Sequence, residues 1–185
     1  MAHYDTVKYT LGANDNTSRV TMLIKLSRYF SKNTANLNRY SWFAAAKKRA
    51  SRAPRILLPV TRITLLNGTE VVINLDMVGM SSNYQIRNLN QTMQATAYPQ
   101  LAYSIGNQLG LRIELKRNST GIADYKMFEL NNIPTVTFMN VTDRYGKNVP
   151  YYHTAQDTID KISKTSLRNV SKLVMNVVEY INRKY

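Results

Sequence analysis

Residues 71–79 read VVINLDMVG, an apolar run that ends at an aspartate and is followed by a glycine. Such a short and nearly continuous apolar run is typical of a strand that is covered on both faces. The run therefore predicts a strand inside a sheet, with Asp76 at its carboxyl end. Because functional sites of α/β proteins gather at the carboxyl ends of strands, Asp76 is a candidate site residue.

Helical patterns flank this strand on both sides. Apolar residues share one helical face between residues 17 and 31, and the spacing predicts a helix there. Pro99 is expected to open a second helix, which Gly110 closes. A third, carboxyl-terminal helix is predicted from apolar residues that form one stripe: Val170, Leu173, Val174, Val177, Val178 and Ile181.

Two further segments have strand patterns. Leu111, Ile113 and Leu115 alternate with polar residues, and residues 135–139 follow a proline as an apolar run. Strands that alternate with helices predict an α/β sandwich. No linker or repeat divides the chain, so residues 1–185 are expected to form a single domain.

The formal net charge of +14 is concentrated in one part of the 185-residue chain. Between Asp15 and Glu70 lie 54 residues without an acid and with eleven lysines and arginines, including the stretch AAAKKRASRAPR at residues 44–55. One interpretation is a non-catalytic basic protein that binds nucleic acid or another polyanion. The aromatic residues that usually accompany such a surface are scarce here, so we do not expect a nucleic-acid partner.

The composition restricts what kind of metal site the chain can have. There is no cysteine, so disulfides and thiolate ligands are excluded and a metal would need histidine and carboxylate ligands. No apolar run approaches the roughly 18 to 20 residues that span a bilayer, and the first residues lack the features of a signal peptide.

Four residues with metal-binding side chains lie at the ends of predicted segments: His3, Asp15, Asp76 and His153. Such a mixed set of nitrogen and oxygen ligands suits zinc. Each histidine alone is more often structural than functional, so the prediction depends on all four residues converging.

Five ordered motifs carry a family resemblance: AHYDTV (2–7), GANDN (12–16), INLDMVG (73–79), ADYKMFELNNIP (123–134) and YYHTAQDT (151–158). In order and spacing they resemble the co-catalytic two-zinc aminopeptidases, which include bacterial leucine aminopeptidases and glutamate carboxypeptidase-like proteins. The resemblance implies a three-layer α/β/α sandwich with a mixed, mostly parallel sheet, incomplete at its amino-terminal side. It also implies a hydrolase that removes the N-terminal residue of a peptide substrate.

The resemblance implies a role for each matching residue. His3 and Asp76 would bind one zinc ion, Asp15 would bridge both ions, and His153 would bind the second ion. Asp5 would orient His3 and raise the basicity of its imidazole.

The remaining implied roles concern the substrate. Tyr152 would stabilise the oxyanion, although a buried ring with a satisfied hydroxyl is an equal alternative. Asp124 and Tyr125 would lie at the substrate pocket, although Asp124 is equally plausible as a helix cap.

One motif of the family is missing. Its members supply the general base and a ligand of the second zinc from adjacent glutamates in a Gly-Glu-Glu-x-Gly-Leu-x-Gly-Ser block, which would fall in the acid-free interval here. Glu70 precedes Asp76 by six residues on one predicted strand, roughly 20 Å, and cannot replace them.

We interpret residues 40–64 as a stretch translated out of frame. The bases GGC AAA GAA GAG GGC CTC CAG GGC TCC AAG encode Gly-Lys-Glu-Glu-Gly-Leu-Gln-Gly-Ser-Lys, a version of the missing block. Read one base later, they encode the residues from Ala46 to Pro54, followed by a codon compatible with Arg55. We expect the frame to be recovered before Val71.

These observations predict an impaired enzyme. Without the glutamates, one zinc ion is expected to be retained and proton transfer to be lost. The chain also starts at the first metal ligand, so we expect a protein truncated at the amino terminus and of low stability. The resemblance implies an extracellular or cell-surface location.

Overall fold

The computed structural model describes residues 2–3, 6–33, 44–45, 69–88, 93–117, 125–141, 149 and 151–184. Its strands are β1 (Ala2–His3), β2 (Ala44–Ala45), β3 (Val72–Asp76), β4 (Asn83–Asn88), β5 (Arg112–Arg117) and β6 (Thr135–Val141). Its helices are α1 (Ser18–Asn33), α2 (Met93–Gln108), α3 (Lys126–Glu129) and α4 (Lys164–Lys184). An irregular turn, Ala13–Thr17, precedes α1, and a 3-10 turn, Ile159–Lys161, precedes α4.

Four strands form one mixed sheet in the order β3-β6-β4-β5. The β3–β6 and β4–β5 pairs are parallel, whereas β4 and β6 are antiparallel. All seven residues of β6 are buried, as expected for a strand inside the sheet. The strands β1 and β2 form a separate parallel pair. The α/β class and the mixed, mostly parallel sheet predicted from the sequence are confirmed.

The hydrophobic core lies between one face of this sheet and the three long helices. Alternate strand residues such as Leu75, Phe138 and Ile86 are in register across β3, β6 and β4 and contribute to it. Met22, Leu26 and Phe30 of α1 and the predicted stripe of α4 complete the core, and every residue of that stripe from Val170 to Val178 is buried. The amphipathic pattern thus predicted both helices, but Ile24, which shares the predicted buried face of α1, is exposed, and Met22 and Leu26 are buried instead.

The opposite face of the sheet is polar. Asn74 and Thr137 lie side by side on β3 and β6, and both are buried. The short helix α3 reaches this face, since the hydroxyl of Thr135 donates to Glu129. The long helices therefore cover one face of the sheet, and α3 contacts the other face through this hydrogen bond.

Two features differ from the sequence predictions. Pro99 lies inside α2, which begins at Met93, so it does not open the helix. A proline inside a helix removes one hydrogen bond, and the packing of α2 on the sheet and α4 offsets this loss. The strand β4 was not predicted; its Tyr84 and Ile86 are the two inward residues of a short run flanked by asparagines.

Most of the acid-free basic segment lies outside the described residues. Within residues 40–64 the structure describes only β2, whose Ala44 and Ala45 pair with Ala2 and His3. Among the helices described, none is long and apolar enough to cross a membrane.

Candidate metal centre

The turn Ala13–Thr17 presents Asp15 at the start of α1. Asp15 and Asn16 have non-helical backbone angles, and the peptide bond between them is cis. The turn begins at Gly12, whose φ is 63°. A β-carbon at Gly12 would lie 2.0 Å from the side chain of Thr6, so only glycine fits at this position.

A buried carboxylate from the other end of the chain anchors this turn. Asp157 accepts the backbone N–H groups of Asn14 at 2.7 Å and of Asp15 at 2.9 Å, one with each carboxylate oxygen. Its backbone carbonyl accepts the N–H of Ala13 at 3.2 Å. Three consecutive N–H groups of the turn are therefore bound by one residue.

The same turn is bound to the loop that follows β3. The Oδ1 atom of Asn14 accepts the N–H of Gly79 at 2.8 Å. Asn16 donates from Nδ2 to Oδ1 of Asp76 at 2.7 Å, and its own Oδ1 accepts the N–H of Met77 at 3.4 Å. These contacts hold the carboxylate of Asp76 beside the turn that carries Asp15.

Arg19, on the first turn of α1, contributes a buried positive charge near Asp76. Its Nη1 lies 3.8 Å from Oδ1 of Asp76 and donates to Oδ1 of Asn74 at 3.2 Å and to the carbonyl of Leu75. Only 1% of the Arg19 side chain is exposed. Both Asn16 and Arg19 approach the same carboxylate oxygen of Asp76, Oδ1.

The imidazole of His153 lies close to the carboxylate of Asp15. Its Nε2 atom lies 3.1 Å from Oδ2 of Asp15, and 38% of its side chain is exposed. Zinc–nitrogen and zinc–oxygen distances near 2.0 Å in a tetrahedral site place two ligand atoms roughly 3.3 Å apart. The separation and the types of the two atoms therefore fit two ligands of one zinc ion.

Tyr152 covers one side of this pair. Its ring stacks on the imidazole of His153 with centroids 3.6 Å apart and planes inclined by 26°. Burial, followed by the negative charges of Asp15 and Asp76, raises the pKa of Tyr152 above its usual value. The phenol therefore stays protonated at neutral pH and can donate a hydrogen bond.

The other predicted site residues are placed only in part. The backbone of His3 lies in β1, but its side chain, Asp5 and Asp124 lie outside the described residues. Tyr125 is buried at the start of α3, where its carbonyl accepts the N–H of Phe128. Among the side chains that the structure describes, no group of three histidines or acids is arranged to hold a metal.

Glu70 lies away from these residues. Glu70 precedes β3, whereas Asp76 is the last residue of β3. The hydroxyl of Tyr98 on α2 donates to the carboxylate of Glu70. This position agrees with the sequence argument that Glu70 cannot serve as the base beside Asp76.

Sequence reasoning did not assign roles to Asn14, Asn16, Arg19 and Asp157. Asn14, Asn16 and Asp157 lie inside motifs that were recognised, and each acts through hydrogen bonds to a distant segment. Arg19 lies in a basic helix and would be expected on its solvent face. Its burial is not visible in the sequence because it depends on where β3 lies.

Comparisons with known proteins agree with this architecture. The model of peptidase family M28 matches residues 1–48 and 55–178. The matched stretches include residues 40–48 and 55–64 of the segment that we interpret as out of frame, and residues 49–54 lie in the gap between them. Aminopeptidase YwaD of Bacillus subtilis is 26% identical over 182 residues, which are 96% of this chain and 39% of that protein.

Solved structures share the fold. The zinc aminopeptidase BSAP from Bacillus subtilis aligns with a TM-score of 0.73 and 23% identity, covering 97% of this chain and 45% of that one. A glutaminyl cyclase from an Acidobacteriales bacterium aligns with a TM-score of 0.73 and 20% identity, covering 100% of this chain and 69% of that one. The chain thus spans less than half the length of the aminopeptidases compared here. The family model covers nearly the whole chain, and the chain belongs to peptidase family M28.

Proposed function

We propose that this chain carries the metal centre of a zinc-dependent aminopeptidase. The observation that carries the proposal is the 3.1 Å approach of His153 Nε2 to Asp15 Oδ2, made by two residues near opposite ends of the chain. Asp76, held beside the same turn by Asn16, and His3 complete the proposed ligand set. Membership of family M28 supports the assignment.

The charges around the site favour a dication. Asp15 and Asp76 place two carboxylates at one turn, and Arg19 offsets part of their charge, while both carboxylate oxygens of Asp157 are already bound by backbone N–H groups. A group of acids with incomplete compensation attracts a divalent cation and is costly without one. The fit of the Asp15–His153 pair to zinc distances supports the same conclusion.

Bound zinc would polarise the scissile carbonyl, activate a water molecule and bind the substrate's free amino group. The protein's own residues would do the rest. His3, Asp15 and Asp76 would hold one ion, Asp15 and His153 would hold a second, and Asn16 would orient Asp76. The protonated phenol of Tyr152 would donate to the developing oxyanion. Asp5 is proposed to orient His3, and Asp124 and Tyr125 to shape the pocket.

We further propose that the chain as written is a poor catalyst. It has no acid between Asp15 and Glu70, so the paired glutamates that relatives use as base and ligand are missing. A general base typically contributes 10²- to 10⁴-fold to the rate. The proposed site keeps three ligands for one ion, His3, Asp15 and Asp76, but only Asp15 and His153 for a second, so we propose that one zinc ion is bound tightly.

The alternative of a basic polyanion-binding protein receives less support. Arg19, one of the basic residues of the acid-free interval, is buried and bound to β3, so it is not part of a surface. Lys25, Arg28 and Lys32 of α1 are exposed. Among the described residues of the acid-free interval, these three could still contribute to a basic surface. An extracellular or cell-surface location remains a proposal from the family resemblance.

The proposed function can be tested with two leucine peptides that differ only at the amino terminus. The purified chain should release leucine slowly from the peptide with a free amino group and not from its acetylated form. A chelator should abolish the release, and added zinc should restore it. Equal cleavage of both peptides, or release that the chelator leaves unchanged, would contradict an aminopeptidase.

A further inference from the structure

Asp157 is not one of the proposed metal ligands, but it is bound to the turn that carries one of them. Its side chain is 1% exposed, and both of its carboxylate oxygens accept backbone N–H groups, those of Asn14 and Asp15. In the part of the chain that the structure describes, no lysine or arginine pairs with it. Charge-assisted bonds of this kind are short and strong, so the carboxylate fixes the backbone at Asp15.

Asp157 is also tied closely to His153. The N–H of Asp157 donates to the carbonyl of Thr154 at 3.2 Å, and the N–H of Thr154 donates to the carbonyl of Tyr151 at 3.1 Å. The hydroxyl of Thr154 donates to the same Tyr151 carbonyl at 2.9 Å and accepts the N–H of Gln156 at 3.3 Å. Two consecutive hydrogen-bonded turns therefore link the backbone on either side of His153 to the backbone of Asp157.

These two sets of bonds form one structural unit. Asp157 is fixed to the backbone of Asp15 on one side and, through the turns, to His153 on the other. We infer that Asp157 is a positioning residue that sets the separation between the carboxylate of Asp15 and the imidazole of His153. It touches no reacting atom; it acts through the two residues that would bind the metal. This inference rests on the proposed metal centre and adds to it the residue that preorganises it.

The inference has a quantitative consequence for metal binding. Residues that orient metal ligands typically change metal affinity 10- to 100-fold when they are mutated. Asp157→Asn keeps the size of the side chain but replaces one acceptor with an amide that faces backbone N–H groups. The turn should then move away from His153, and the two ligands should no longer bind one ion together.

Zinc affinity of the whole chain, measured by competition with a chelator of known affinity, tests this inference. Asp157→Asn should weaken zinc binding 10- to 100-fold, because it displaces Asp15, the ligand that both proposed ions share, relative to His153 and the other ligands. Asp160→Asn is the matched control, because this nearby acid is exposed and its carboxylate is bound by Thr158 and Lys161, away from the proposed ligands. The control should bind zinc as the unaltered chain does. Unaltered affinity in Asp157→Asn would overturn the inference.

A double-mutant cycle separates positioning from general stability. In a His153→Ala background, Asp157→Asn should cause a smaller loss of zinc affinity, because only its effect through Asp15 remains. The same loss in both backgrounds would mean that Asp157 acts on the fold and would contradict the inference. If Asp157→Asn does not fold, Thr154→Val carries the test, since it loosens the exposed turns and should weaken zinc binding several-fold. An unchanged affinity there would also overturn the inference.

The outcome distinguishes this inference from the proposed function. If the unaltered chain binds no zinc, the proposed metal centre itself fails. If the unaltered chain binds zinc and the Asp157 and Thr154 variants bind it equally well, the metal centre stands and only the positioning role fails.

Discussion

The side-chain amide of Asn16 donates to Oδ1 of Asp76 at 2.7 Å and thereby joins the turn before α1 to the end of β3. Asn16 is fully buried, and its carbonyl oxygen accepts the N–H of Met77. One amide therefore satisfies a carboxylate and a backbone group at the position where the metal centre is proposed. This contact gives the site much of its rigidity before any ion binds.

Removing this amide should destabilise the fold measurably. Asn16→Ala leaves the buried N–H of Met77 without its side-chain partner, and it leaves Oδ1 of Asp76 with the more distant Arg19. A buried group left unpaired costs about 1–3 kcal/mol. Urea unfolding should show a loss in this range. Asn176→Ala is the matched control, because Asn176 is exposed on α4 and its amide donates to the carbonyl of Lys172 within the same helix. Equal stability of the two variants would contradict the structural role of Asn16.

Restoring the glutamate block should raise the activity. Replacing residues 46–55 with Gly-Lys-Glu-Glu-Gly-Leu-Gln-Gly-Ser-Lys supplies the missing base, and a gain of about 10²- to 10⁴-fold in leucine release is expected. The same block with both glutamates replaced by glutamine is the control and should give no gain. If the two blocks behave alike, the glutamates do not explain the low activity.

The out-of-frame interpretation has its own test. The coding DNA over residues 36–67 should contain the bases of the glutamate block in an adjacent frame. Synonymous codons that cannot encode the block in any frame would rule out this interpretation, while the metal centre would be unaffected.

Tyr152 should contribute to turnover without holding the metal. In the chain with the restored block, Tyr152→Phe keeps the ring that stacks on His153 but removes the hydroxyl. Removing one oxyanion donor typically costs about 10²- to 10³-fold in kcat. We expect a loss of this order with an unchanged zinc content. An unchanged kcat would show that the hydroxyl does not contact the oxyanion.

Local patterns predicted much of the fold. The apolar run before Asp76 predicted β3, and the stripe from Val170 to Val178 predicted α4, because both signals follow directly from burial on the sheet. The strand β4 escaped prediction because it has only two inward apolar residues, Tyr84 and Ile86. The start of α2 was misplaced because Pro99 is common in a first turn and here lies well inside the helix.

For the candidate site, the sequence alone predicted only that metal-binding residue types lie at the ends of predicted segments. Asp15 and His153 were identified, and the structure brings them together, but the family resemblance was needed to pair them. Asn16 and Asp157 were not identified because hydrogen bonds between distant segments leave no periodic pattern in a sequence. Burial of a charged residue is set by the packing around it and has no local signature either.

Zinc content after dialysis against a weak chelator tests the central claim most directly. We expect the unaltered chain to retain about one zinc ion, which its histidine and carboxylate ligands would hold. Asp15→Ala should lose the ion, because Asp15 lies at the centre of the proposed ligand set, whereas Asp160→Ala should keep it. An unaltered chain that retains no zinc, or an Asp15→Ala variant that retains as much as the unaltered chain, would contradict the account.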